Sequence, residues 1–392
     1  MSSPRVDGSA ISGAGVVKYD SSVTVRSLMK SCGINFIGTP GVTEIAINGP
    51  GAAWTESSAG WTRHELPDCS FDRLMKLANA LAIFNKAQPP LSATEPIKPV
   101  RLPDGERGQI VIPPACEPDT VSLTIRIPST QRFSVEQLAA RGNLSGYRRM
   151  TSSGLLVPAT SVDSASSLDK VVASGELSLD GYDIASPRLA APAALTLDSF
   201  QLEMLEALEE GDIVRFLTLA ITHKLNIVLV GGTGSGKTTL MKALADLVPA
   251  WVRVATIEDT HELPLPMQPN HVHLFYSDVL PARELVKATL RMKFDRVYLA
   301  ELRGDETWDY LTLLNTGHNG GMTTVHANDC IAAFSRIATL IKQSPVGQTL
   351  DWNYLLREVK MTIDVVLFME KHKLTQVYYD PAEKRKLQRG LA

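Results

Sequence analysis

The sequence predicts an α/β protein: a domain built on a mostly parallel sheet, preceded by a small α+β domain. Three observations carry that reading. An apolar run, Ile227 to Val230, leads into Gly231-Gly232-Thr233-Gly234-Ser235-Gly236-Lys237-Thr238, a full match to G-x-x-x-x-G-K-[ST]. Behind it, Leu240, Ala243, Leu244 and Leu247 recur at helical spacing until Pro249 stops the helix. Further on, strand-like and helix-like runs alternate to about Met369, the pattern of a parallel sheet.

The strand–loop–helix unit dictates its own chemistry. Glycines let backbone N–H groups curl round a phosphate, and a helix N-terminus adds partial positive charge. The cradle is Gly232, Thr233, Gly234, Ser235, Gly236, Lys237, Thr238 and Thr239. Lys237 reaches the β/γ-phosphates of a nucleotide and Thr238 offers its hydroxyl to Mg²⁺. The stretch is expected to bind ATP with Mg²⁺.

Upstream, residues 1–20 are Gly/Ser-rich and read as a flexible tail. Val23, Val25, Leu28 and Met29 suggest a short helix, and Val42–Gly49 a strand running into a Pro50-Gly51 turn. Trp54 and Trp61 flank a second hairpin, and Phe71–Phe84 carries Leu74, Leu77, Ala78, Leu81 and Ala82 on one helical face. An Asp104-Gly105 turn precedes one strand, and Val121–Ser129 is another. Together they define an N-terminal α+β domain over 21–148. Composition then shifts to Ser, Ala and Gly, most markedly over Thr151–Ala194, so 149–197 reads as a linker and 198–392 as the second domain. The latter opens on helical spacing, Leu202, Leu205, Leu208, then Ile213, Phe216, Leu217 and Ile221.

Composition excludes several classes. A net charge of −3 gives no whole-chain attraction to nucleic acid or anionic lipid, so direct sequence-specific nucleic-acid binding is not expected. No apolar run approaches the ~18 residues of a membrane span, and the N-terminus does not read as a signal peptide. Cys32, Cys69, Cys116 and Cys330 are scattered without a C-x-x-C pair, which suits a reducing cytosol and argues against structural zinc.

Two acids follow apolar runs downstream. Trp251–Pro266 ends its β-rich part at Glu258-Asp259, and Val297 to Ala300 ends at Glu301. Ligands sit at the carboxyl ends of strands in open parallel sheets, so both acids are candidates to hold Mg²⁺ or to polarise an attacking water. In Asn315–Asn328, His318 lies in a Gly-rich loop and His326 ends the run MTTV. Either imidazole could hydrogen-bond a γ-phosphate or a catalytic Glu.

In order and spacing, the phosphate loop, TIEDTHELP, ELRGDE and TGHNGGMTTVHAN resemble the Walker A, Asp, Walker B and His boxes of the type II/type IV secretion and pilus-motor ATPases. VTEIAINGPGAAW, LPDGERGQIVIPP and TIRIPS are similar to the N-terminal domain of the type IV secretion traffic ATPases, so the resemblance covers most of 35–380. It implies a RecA-like ATPase domain in a homohexamer, peripheral at the cytoplasmic face of the bacterial inner membrane, working with channel and coupling subunits. It also implies that Arg107 and Arg126 reach over the nucleotide, that Glu301 is the Walker B acid and that Glu258 is the Asp-box acid. Which acid activates water stays open. Arg291, Arg296 and Arg303 are further candidates for phosphate or subunit contacts.

The leading expectation is therefore an ATPase powering pilus assembly and export through a type IV secretion or conjugation channel. A type II secretion or pilus-extension motor and a nucleotide-gated docking scaffold are the alternatives. A flexible chain the length of Thr151–Ala194 spans about 35 Å on average, enough to cross to a neighbouring subunit and build a domain-swapped ring.

Overall fold

The computed structural model describes residues 21–57, 59–128, 132–152, 156–158, 197–277 and 279–390. The tail and most of the linker lie outside these residues, and with them the swapped ring. The chain divides into two compact units, 1–129 and 130–392.

The first unit is one antiparallel sheet, β1 (Glu44–Ile47), β2 (Ala52–Ser57), β3 (Gly60–Glu65), β4 (Ile97–Arg101), β5 (Arg107–Val111) and β6 (Ser122–Arg126), in the order β3-β2-β1-β6-β5-β4. Ile45, Ile47, Ile110, Leu123 and Ile125 point to one face and pack with helices Ser21–Ser31 and Phe71–Phe84 into a single core. Ser70 caps the second helix by accepting from Arg73 N–H, and its five predicted apolar positions are all buried.

The second unit carries β7 (Arg148–Met150), β8 (Leu156–Pro158), β9 (Ile227–Val230), β10 (Val254–Glu258), β11 (His271–Phe275), β12 (Arg296–Leu299), β13 (Met322–Val325), β14 (Val365–Glu370) and β15 (Lys373–Tyr379). Their order is β11-β10-β12-β13-β9-β14-β15-β7-β8. From β11 to β14 every pairing is parallel; β15 then turns back antiparallel to β14. Helices cover both faces, so β9 is buried along its whole length. Ile227 and Leu229 face one core, with Phe216, Leu217 and Leu240, while Val228 and Val230 face the other, with Phe334, Ile337 and Leu355. At about 1.5–3 kcal/mol for each buried side chain, β9 is pinned from both sides and its end is a rigid support.

The expected domain edge at 148 is displaced. Val135, Leu138, Leu144 and Tyr147 pack into the core of the second unit, and β7 pairs with Gln376–Tyr378 of β15. Residues 132–152 thus belong with the parallel sheet, because a three-residue strand has no alternation to read and its partner lies more than two hundred residues away in sequence.

Candidate nucleotide site

The phosphate loop leaves the carboxyl end of β9 with Gly231, Gly234 and Gly236 at positive φ. At Gly231 the reason is contact as well as conformation: a Cβ there would stand 2.2 Å from the Met369 carbonyl oxygen of β14. At Gly232 and Gly234 a Cβ would meet nothing within 4 Å, so the loop's mouth is open. Helix Lys237–Asp246 starts from Gly236 without a side-chain cap. The Lys237 ammonium donates to the Gly231 and Gly232 carbonyls at 2.8 and 2.7 Å and is buried. Ser235 Oγ is buried beneath the loop without a hydrogen-bond partner among the described residues. An orphan hydroxyl, an open glycine mouth and a lysine at a helix start fit the phosphates of a nucleotide, with Thr238 placed to reach Mg²⁺.

A support that the sequence reading missed is the β14–β15 turn. Lys371 and His372 both take positive φ, a two-residue hairpin turn without its usual Asn-Gly or Gly signature. His372 N–H donates to the Ser235 carbonyl at 3.0 Å, and Asn143 Nδ2 donates to the His372 carbonyl at 2.8 Å. The apolar runs either side of Lys371-His372-Lys373 were the available signal.

The neighbouring strands bring the predicted acids to the same edge. Glu301 follows β12 and His326 follows β13, which lies between β12 and β9. Glu301 Oε1 is 3.1 Å from His326 Nε2, and its Oε2 accepts from Arg303 Nη2 at 2.7 Å and Nε at 3.0 Å. Arg303 also donates to Asp259 Oδ2 at 2.9 Å. Burial works against the Arg303 charge, but the Glu301 hydrogen bond and nearby Tyr276 and Asp259 outweigh it and hold its pKa above the ordinary value.

Glu258, at the end of β10, is fully buried. Its Oε2 accepts from Glu262 and Leu263 N–H, both at 2.8 Å, and its Oε1 accepts from the Thr256 hydroxyl at 2.9 Å. The carboxylate therefore shapes the loop that follows it. His273 Nδ1 is 2.6 Å from Thr256 Oγ1; burial first, then the adjacent His261 and His271, pushes that imidazole down to about 4.

Three predicted residues lie elsewhere. Arg296 opens β12 at the amino edge, is buried, and donates from Nη2 to the Ile221 carbonyl at 2.7 Å. Its role is packing rather than phosphate contact. His318 precedes β13 and belongs to that same amino edge, so of the two histidines only His326 meets a catalytic candidate. Arg291 is exposed in the turn before β12.

In the first unit, Arg107 opens β5 and Arg126 closes β6, and the two are direct register partners. Both are half-buried on the face away from the core. On its other side Arg126 is in register with Glu44 of β1.

Residues 183–370 match the family model of the type II/IV secretion system proteins. The chain is 34% identical to type IV secretion system protein VirB11 of Brucella abortus biovar 1, over 90% of this chain and 89% of that protein. With VirB11 of Bartonella quintana the identity is 36%, over 90% and 92%. A crystal structure of the pilus retraction motor PilT, 13% identical, shares the fold at a TM-score of 0.52, covering 94% of this chain and 86% of that one. The chain belongs to the VirB11 family, within the type II/IV secretion ATPase superfamily.

Proposed function

We propose that this chain hydrolyses ATP to ADP and phosphate to power pilus assembly and substrate export through a type IV secretion or conjugation channel. The observation that carries it is the Glu301–His326–Arg303 cluster on the same sheet edge as the phosphate loop. Lys237 would leave its loop carbonyls for the β/γ-phosphates, and Thr238 would hold Mg²⁺, aided through water by Glu301. Bound Mg²⁺ supplies charge neutralisation on the phosphate oxygens. Glu301 is the acid that activates water. It stays partly exposed, with one oxygen on His326 and the other on Arg303, whereas Glu258 is fully buried with hydrogen bonds on both oxygens. His326, bonded to Glu301, reports the state of that acid to the loop after β13. Arg107 and Arg126 are read as phosphate-binding guanidinium groups, the role such groups take in phosphoryl transfer.

The working form is a homohexamer, peripheral at the cytoplasmic face of the bacterial inner membrane and engaged with channel and coupling subunits. Among the described residues no helix is long and apolar enough to cross a membrane. Steady-state phosphate release by the full chain, read beside nucleotide-dependent assembly in mass photometry, tests the proposal. Turnover that requires Mg²⁺, and a six-chain species stabilised by nucleotide, are expected. Nucleotide binding without turnover, with or without channel partners, would make the chain a docking scaffold instead.

A further inference from the structure

On the same carboxyl edge as the nucleotide loop, with β12 and β13 between, the end of β10 gathers a second set of donors. Glu258, His261 and His273 each present one ligand atom, all within 4.8 Å of one another. Glu258 Oε1 lies 3.6 Å from His261 Nδ1 and 3.7 Å from His273 Nδ1. The two imidazole rings meet edge-to-face with centroids 4.3 Å apart. Three different segments supply the donors: the end of β10, the loop behind it and the edge strand β11.

We propose that Glu258, His261 and His273 form a binding site for a borderline divalent transition ion of the Zn²⁺ type, distinct from the Mg²⁺ that accompanies nucleotide. Tetrahedral zinc with bonds of about 2.0–2.1 Å sets neighbouring donors roughly 3.3 Å apart, only a few tenths of an ångström inside the two Glu258–His separations. Two imidazole nitrogens and one carboxylate oxygen are zinc-type donors, whereas Mg²⁺ and Ca²⁺ want oxygen throughout. Glu258 Oε1 accepts one hydrogen bond, from Thr256, and a carboxylate oxygen has a second acceptor direction. The backbone amides on Oε2 orient the group as an outer shell does in metal sites. His273 Nδ1 exchanges its contact with Thr256 Oγ1 for the ion, leaving its proton on Nε2. His261 is about half exposed, so water can take the fourth position. His271 stays outside the set, its Nδ1 directed to the Gln268 carbonyl. The ion would tie loop 259–263 and the edge strand to β10, and this holds whether or not the chain turns over ATP.

The test is metal binding by the purified full chain, without nucleotide. Zn²⁺ affinity is measured by competition with a chromogenic chelator, Co²⁺ coordination by visible absorption, and stability by melting with and without Zn²⁺. One Zn²⁺ per chain is expected, undisturbed by excess Mg²⁺, with an N/O-type tetrahedral cobalt spectrum and a melting temperature that rises with Zn²⁺. His261→Ala, on a solvent-facing residue, keeps the fold and loses more affinity than the ~10–100-fold typical of an outer-shell partner. His273→Ala behaves alike, and His318→Ala, on the opposite edge, binds as the parent does. Absence of saturable binding, binding that survives both His261→Ala and His273→Ala, or a thiolate-to-cobalt charge-transfer band, which would move the ion to a cysteine, overturns the proposal.

Discussion

The two edges of the nine-stranded sheet use the same residue types for opposite ends. At the amino edge, Asn226 spends its side chain on backbone: Nδ2 donates to the Thr362 carbonyl, and Oδ1 accepts from Gly320 and Gly321 N–H. Arg296 is buried there against Gly320. At the carboxyl edge, Glu301, His326, Arg303 and Asp259 bond to one another and keep faces toward solvent. Groups satisfied by fixed backbone lock a loop. Groups satisfied by other mobile side chains can exchange those partners for a ligand. Substitutions at the carboxyl edge should therefore cost activity, and those at the amino edge stability.

Lys237→Ala gives the largest effect. It removes the cation of the phosphate loop and takes hydrolysis to background while circular dichroism stays that of the parent and melting falls only by the loss of the two loop-carbonyl bonds; turnover at the parent rate would remove the loop from the mechanism. Glu301→Gln follows, with a fall of ~10² or more in kcat and nucleotide affinity retained. A parallel fall in affinity would make Glu301 a Mg²⁺ or structural group. Glu258→Gln sharpens the contrast within the carboxyl edge. A charged acceptor of two amides becomes a neutral one, so this variant is expected to lose melting temperature as well as rate.

At the amino edge the signs reverse. Asn226→Ala strands the Gly320 and Gly321 amides and the Thr362 carbonyl, at a cost of about 3 kcal/mol, with kcat per folded chain unchanged. Denaturant unfolding and active-site titration together read it. Gly320→Ala is smaller. Its φ is +87° and a Cβ would sit 3.2 Å from the Arg296 guanidinium, so about 2 kcal/mol is expected. Its counterpart Gly234→Ala faces open space at φ +70° and should lose activity out of proportion to its ~1 kcal/mol of stability. Equal ratios of activity loss to stability loss in the two alanine variants would erase the distinction between the edges.

Legibility in the sequence followed the same division. The position of Glu301 was readable because it ends the apolar run Val297–Ala300, as a parallel strand reaching a ligand edge does, and that of the phosphate loop because Ile227–Val230 breaks into glycines before Lys237; His326 follows the mixed run MTTV and was singled out only through the family resemblance. Helix Phe71–Phe84 was readable from its 3.6-residue stripe, and its bounds agree with the structure. Arg296 and His318 misled because position within a motif does not reveal which edge a residue occupies; Arg296 starts its strand where Glu301 lies beyond the end. β4 escaped notice because Pro99 interrupts Ile97–Arg101, as edge strands allow. The β14–β15 turn under the phosphate loop was hidden because His372 acts through its backbone, which no side-chain pattern announces.

The smallest expected effect tests whether satisfaction by backbone is what makes a buried acid harmless. Glu258 is fully buried with three hydrogen bonds; Glu106, in the first unit, is nearly as buried, but its Oε2 has no partner among the described residues. Burial raises the Glu106 pKa above the ordinary carboxylate value, with Asp104 adding to it. A folded-state pKa raised above the unfolded one gives a stability contribution that is full below the unfolded value, near 4.3, and lost as pH rises through the folded value. At neutral pH the ionised Glu106 therefore weighs against folding. Glu106→Gln keeps the shape and removes the charge. Its melting temperature should exceed the parent's at pH 7, and the gap should close as pH falls toward 4. Hydrogen exchange of the adjoining Gly108–Val111 amides should slow in the variant at pH 7 only. A gap that stays constant with pH would trace the effect to packing rather than to the buried charge, and the contrast with Glu258 would then rest on something other than hydrogen bonding.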